Sequence, residues 1–96
     1  MRSVVFVSYD ISDDRRLRLV YRLMRGRGDH VQYSVFRCEL SARERAELFA
    51  ALDALIDHTA DQILFIDTGP VDGRGADCVQ AIGRPFVTIV RRAVIV

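Results

Sequence analysis

The sequence predicts an α+β protein in which two helices cover one face of a mainly antiparallel sheet. Three observations lead there. Short β-branched and aromatic runs alternate with two amphipathic stretches of helical period. Their order is strand, helix, two short strands or one bent strand, helix, strand, which two helices and one sheet satisfy most simply. The chain has 96 residues, half of them hydrophobic, enough for one compact domain spanning residues 1–96 with a small core.

Residues 3–9, SVVFVSY, are too short for an independent helix and too rich in Val, Phe and Tyr for a loop, so they read as a buried strand. Asp10 stands at its C-terminal end. From residue 13 to about 27 the period becomes helical, with Leu17, Val20, Tyr21 and Met24 forming one apolar stripe. Asp13 and Asp14 suit the positive end of the helix dipole, and Gly26 and Gly28 supply a stop. Arg15, Arg18, Arg22 and Arg25 recur at spacings of three and four and build a basic ridge on a second face.

Residues 30–40, HVQYSVFRCEL, form one bent strand or two strands with a tight bend. "SARE", residues 41–44, matches a capping box that opens a second helix, whose stripe of Leu48, Leu52, Leu55 and Ile56 runs to about residue 57. QILFID, residues 62–67, is another strand, and TGPVDGRG, residues 68–75, is dense in turn residues. CVQAI, residues 78–82, and the tail at 86–96 supply one or two further short strands. The pattern βαββαβ with C-terminal additions is the ferredoxin-like arrangement. An apolar tail on a small core favours a homodimer that buries it.

Composition excludes several classes. A formal charge of +1 argues against a strongly basic nucleic-acid tail. All 14 basic residues are arginine, whose planar fork suits phosphate, although a GC-rich genome would give the same bias. Cys38 and Cys78 form no metal-ligand cluster and are expected as free buried thiols, and His30 and His58 are isolated, which argues against zinc. The N-terminus has neither a signal peptide nor a membrane span, so a cytoplasmic location is expected.

The chemistry rests on the carboxylate and the arginines. Mg²⁺ takes one or two carboxylates and keeps several waters, leaving room for a phosphate oxygen and a nucleophilic water. One Asp10 would hold such an ion poorly, but a two-fold axis near the strand end would supply a second. Two plainer alternatives stand beside this: Asp10 as a turn residue, and the arginine ridge as a solvated helix face. Tyr9 and Ser34 are candidates to position a phosphate, and Phe36 is either core or a stacking platform. No general base is evident, so the ion would carry most of the activation.

The stretch VSYDISDDRRLRLVYRLMRGRGDHVQYSVFRCEL resembles the signature of the CRISPR-associated Cas-two family, the small partner of the integrase in spacer acquisition, an antiviral defence. The matching features are Tyr9-Asp10-Ile11, the arginines from Arg15 to Arg18, and the run from Gly28 to Phe36. The resemblance continues through ILFIDTG and CVQAIGRP. It implies a ferredoxin-like homodimer whose paired Asp10 side chains share one Mg²⁺ in an endonuclease acting on single-stranded RNA or duplex DNA. It also implies a CRISPR integrase as partner. By the same analogy Arg16, Arg18 and Phe36 match positions linked to substrate binding, with Tyr9, Arg15 and Ser34 beside them. Two departures are His30, where arginine is usual, and Arg37, where an acid is common. The first removes a permanent phosphate contact, and the second adds a cation favourable to DNA. Rival readings on the same fold are a non-catalytic DNA scaffold bridging integrase subunits and a toxin-like interferase.

Overall fold

The computed structural model describes residues 1–87. Strand β1 (Ser3–Asp10) leads into helix α1 (Asp14–Arg25), then β2 (Asp29–Gln32), β3 (Val35–Leu40), α2 (Ala42–Asp53) and β4 (Gln62–Pro70). A short 3₁₀ turn (Arg74–Asp77) follows. The four strands form one sheet in the order β2-β3-β1-β4, and every neighbouring pair is antiparallel. The expected α+β class with two helices and an antiparallel sheet is therefore present.

Strand alternation places the core. Val5, Val7 and Tyr9 of β1 point to one face, and their neighbours Cys38 and Phe36 on β3 point the same way. Val20 and Met24 of α1 and Leu48 and Leu52 of α2 pack onto this face and complete the buried cluster. The other face carries Phe6, Ser8 and Asp10 of β1 beside Ile66, Leu64 and Gln62 of β4. Leu64 and Ile66 are 47% and 49% exposed there. At its far end Val4 is sealed by the 3₁₀ turn, where a Cβ on Gly75 would lie 2.9 Å from the Val4 Cβ and 2.7 Å from the Gly69 carbonyl. Only glycine fits that approach.

Local boundaries have local causes. Asp13 caps α1 by accepting the Arg16 amide at 2.9 Å. The capping box on α2 is complete, with the Ser41 hydroxyl and the Glu44 carboxylate each accepting the other's backbone amide. Helix α2 ends at Asp53 rather than near residue 57: the Leu55 amide donates to the Leu52 carbonyl at 3.0 Å in a tightened last turn, and beyond it the Asp57 carboxylate accepts the amide and the hydroxyl of Thr59 and turns the chain. Leu55 and Ile56 still pack against the core from beyond the helix.

The ambiguous stretch at 30–40 resolves into two strands, with Gln32 opposite Val35 across a two-residue turn of Tyr33 and Ser34. Strand β4 runs past residue 67 to Pro70. Gly69, at φ 103°, absorbs the irregular register there, and the Thr68 hydroxyl donates to the Val4 carbonyl at 2.8 Å. Residues 78–82, expected as a strand, adopt none; the chain there pairs with no strand among the described residues. The tail expected as a further strand lies mostly outside the described residues. Cys38 is buried as expected, whereas Cys78 is exposed. No helix among the described residues is long and apolar enough to cross a membrane.

Candidate nucleic-acid interface and acidic site

Consecutive residues at the end of β1 serve opposite faces. Tyr9 turns under the helices and is 5% exposed, whereas Asp10 is exposed on the side of the sheet the helices leave open. Among the described residues the Asp10 carboxylate has neither a hydrogen-bond nor an ion-pair partner. Gln62 lies directly opposite it and Ser8 precedes it on that face, and beyond them the face turns apolar with Leu64, Phe6 and Ile66.

The loop after Asp10 is fixed by a residue far along the chain. The side chain of Asp61, just before β4, is fully buried and accepts from Arg16 Nε at 2.8 Å, the Ser12 amide at 3.0 Å and the Asp57 amide at 2.9 Å. Arg16 above all, then the Ser12 amide, holds the Asp61 carboxyl well below the usual carboxylate range. Arg16 is thus committed to a carboxylate within the fold. Arg15 and Arg18 remain exposed, and no carboxylate among the described residues pairs with either.

On the helix side, a groove of about 490 Å³ opens between α1 and the β2–β3 turn. Tyr9 and Leu17 floor it, Arg18, Arg22 and Arg25 line one wall with Tyr21, and Tyr33 and Ser34 line the other. Burial, with a smaller contribution from Tyr21, pushes the Tyr9 phenol up, while its hydrogen bond with Ser34 acts in the opposite sense. Tyr9 therefore stays protonated at neutral pH.

Phe36 lies beneath this groove and not at its surface. It is fully buried, with ring centroids 6.3 Å from Tyr9, 5.7 Å from Tyr21 and 5.0 Å from His30. The contact with nucleic acid expected of it is unavailable in this packing; it supports the residues that form the floor. His30 Nε2 donates to the Tyr33 carbonyl at 2.6 Å, so the residue standing in place of arginine braces the turn. Arg37 is not the free surface cation expected. It is 7% exposed and pairs with Glu39 at 2.8 Å.

Residues 2–71 match the family profile described as CRISPR associated protein Cas2. The chain belongs to the Cas2 family. It is similar to CRISPR-associated endoribonuclease Cas2 1 of Rhodospirillum rubrum, 39% identical over 94% of this chain and 87% of that protein. It is also similar to CRISPR-associated endoribonuclease Cas2 of Geobacter sulfurreducens, 38% identical over the full length of both. Among solved structures, Cas2 of Streptococcus pyogenes at pH 6.5 superposes with a TM-score of 0.69 at 29% identity, covering 83% of this chain and 99% of that one. The hypothetical protein TT1823 of Thermus thermophilus superposes with a TM-score of 0.73 at 31% identity, covering 88% and 94%.

In this Cas2-family chain the donor set for a divalent ion is sparse. No three His, Cys, Asp or Glu side chains converge among the described residues. Asp10 offers hard oxygen donors free of internal partners, the donor type of a largely hydrated Mg²⁺, and a second such carboxylate would hold the ion better than one alone. Sequence reasoning missed Asp61, because nothing in its neighbourhood marks an acid that folds back onto Arg16. Tyr33 was not singled out either, because its place in a two-residue turn emerges only once residues 30–40 divide into two strands.

Proposed function

We propose that this protein is a metal-dependent endonuclease of CRISPR adaptation that hydrolyses phosphodiesters of RNA or DNA as a homodimer. The observation that carries the reading is the placement of Asp10. An unpartnered carboxylate ends β1 on an open sheet face that, beyond Ser8 and Gln62, carries the apolar and partly exposed side chains of Phe6, Leu64 and Ile66. Joining two such faces about a two-fold axis would cover that apolar surface and bring the two Asp10 side chains together. The sheet order and the interleaved helices favour the ferredoxin-like arrangement. The endoribonuclease names of the Rhodospirillum and Geobacter relatives support the activity.

In this mechanism the Asp10 carboxylates of two protomers would hold Mg²⁺. When bound, the ion supplies a more acidic water and neutralises charge on the phosphate. Arg15 and Arg18 attract and orient the backbone by charge, without reading sequence. Tyr9 and Ser34 offer hydroxyls in the helix-side groove, on the face of the sheet opposite Asp10. Arg16 acts through Asp61 and Ser12, holding the loop that follows Asp10. A CRISPR integrase is the proposed protein partner.

The test compares cleavage of labelled RNA and DNA with Mg²⁺ or chelator by the wild type and by Asp10→Ala. Calorimetry of Mg²⁺ and sedimentation run alongside. The expected result is metal-dependent cleavage lost in Asp10→Ala, one ion per two chains and an unchanged dimer. Cleavage that persists in Asp10→Ala, or that ignores metal, overturns the proposal.

A second reading, a non-catalytic DNA scaffold, is favoured by the outer arginines of α1, which have no carboxylate partner among the described residues. It predicts no metal-dependent cleavage and duplex binding that weakens steeply with salt.

A further inference from the structure

We infer that the groove between α1 and the β2–β3 turn is a subsite for an unpaired base of a single strand, with Tyr33 as its stacking platform and Arg18, Arg22 and Arg25 on the flanking phosphates. The inference rests on the nucleic-acid reading above and assigns to it a strand type and a place.

The cations come first. Arg18, Arg22 and Arg25 lie four and three residues apart, on one face of α1. Five other arginines are spent within the fold: Arg2 on Glu44, Arg16 on Asp61, Arg37 on Glu39, Arg43 on Glu47 and Arg45 on Asp67, while among the described residues the cations left without an ion pair gather most densely on α1. The three that reach the groove have no such partner among the described residues. Arg25 rests over the Tyr21 ring at 5.9 Å, which orients its guanidinium without neutralising it. Converging, uncompensated guanidinium groups call for an anion, and phosphate matches their fork.

The walls are aromatic, which free phosphate would not require. Tyr9 and Tyr21 line the floor and one side, and Tyr33 stands opposite at 88% exposed. Tyr33 is also the only non-glycine residue at positive φ among the described residues, at 44°. Glycine or asparagine is the ordinary occupant of such a turn position. A bulky ring held there against its backbone preference, with its carbonyl fastened by His30, marks a functional position. The groove volume falls within the range of small-ligand sites. A ligand that is anionic and offers a flat π-face is a nucleotide. A base stacked in a duplex cannot present that face, so the strand must be single.

The test titrates fluorescent single-stranded RNA, single-stranded DNA and a blunt duplex in chelator, so that no cleavage occurs. Wild type is compared with Tyr33→Ala, Tyr33→Phe and an Arg22→Gln, Arg25→Gln double variant. Tyr33→Ala is expected to weaken single-strand binding about fivefold or more, Tyr33→Phe to retain it, and duplex affinity to stay unchanged in both. The double variant should flatten the single-strand salt slope by about 1.4, two phosphate contacts' worth. A loss seen with only RNA or only DNA supports the subsite and names its strand. Equal loss on single strand and duplex, no loss at all, or a wild type that binds no single strand overturns it. Asp10→Ala keeps the two proposals apart. Tyr33-dependent binding without any wild-type cleavage sinks the nuclease and leaves the subsite, whereas Asp10-dependent cleavage with Tyr33→Ala affinity unchanged sinks the subsite alone.

Discussion

Arg16 and Asp61, 45 residues apart in the chain, meet with Nε and Oδ2 at 2.8 Å, and the Asp61 carboxylate goes on to accept the amides of Ser12 and Asp57. One buried acid therefore ties the loop after β1 to the loop before β4. Removing it leaves a guanidinium and two amides without acceptors. Asp61→Ala is expected to lower the melting temperature by about 5 °C or more, the response of a domain this size to the loss of a single net hydrogen bond. Arg16→Ala should destabilise as well, and the double variant by less than the sum, because both changes break one interaction. A double-mutant cycle in urea checks this. Strict additivity would refute the coupling.

The same contacts set a pH dependence. Asp61 is held well below the usual carboxylate range, first by Arg16; Glu44 is lowered by the Ser41 amide and Asp57 by Thr59. Below the unfolded value of about 4, the unfolded chain takes up protons that the folded chain refuses. Stability from these groups is complete above that value and is lost as pH falls through it toward their folded values. Urea midpoints measured from pH 6 downward should drop below about pH 4, and Asp61→Ala should flatten that drop.

Phe36 separates support from contact. Phe36→Ala empties the core beneath the groove and should cost about 3–5 kcal/mol. Phe36→Leu, which keeps most of the volume, should fold and bind nucleic acid as the wild type does. A folded Phe36→Leu with lost affinity would put the ring back among the contacts.

Tyr33→Gly should dissociate stability from binding. Relief of the left-handed conformation, about 1–2 kcal/mol, exceeds the added freedom glycine gives the unfolded chain, about 0.5–1 kcal/mol. The variant is therefore expected to gain stability in urea while losing single-strand affinity. A destabilised variant would show that the turn does not strain the tyrosine.

Gly28 has the opposite sensitivity. A Cβ there would sit 2.5 Å from Cys38 Sγ and 2.7 Å from the Arg37 carbonyl, and the carbonyl cannot move without disturbing β3. Gly28→Ala should cost about 1–3 kcal/mol by equilibrium denaturation, as overpacked sites do.

Much of this architecture was legible in the residues. The two periods in the pattern place the strands and helices, and the Ser41–Glu44 pair marks the start of α2 because its chemistry is local. The end of α2 was not, since its last turn tightens and Asp57 then turns the chain through a side-chain bond to Thr59, neither of which periodicity registers. The site divides in the same way. Asp10 and the arginine ridge are visible from their order along the chain. Which arginine is consumed internally depends on Asp61, and that pairing exists only after the strands are laid side by side. Arg37 was misjudged for a related reason: Glu39, two residues on, shares its face of β3 and neutralises it.

Because β1 sends Tyr9 to one side and Asp10 to the other, its length is under a stricter constraint than its composition. Inserting or deleting one residue upstream would rotate the carboxylate into the oily layer beside Val20 and turn the phenol outward, abolishing both features at once. Swapping one β-branched residue for another here, such as Val5→Ile, keeps both faces, whereas an odd-numbered indel exchanges them.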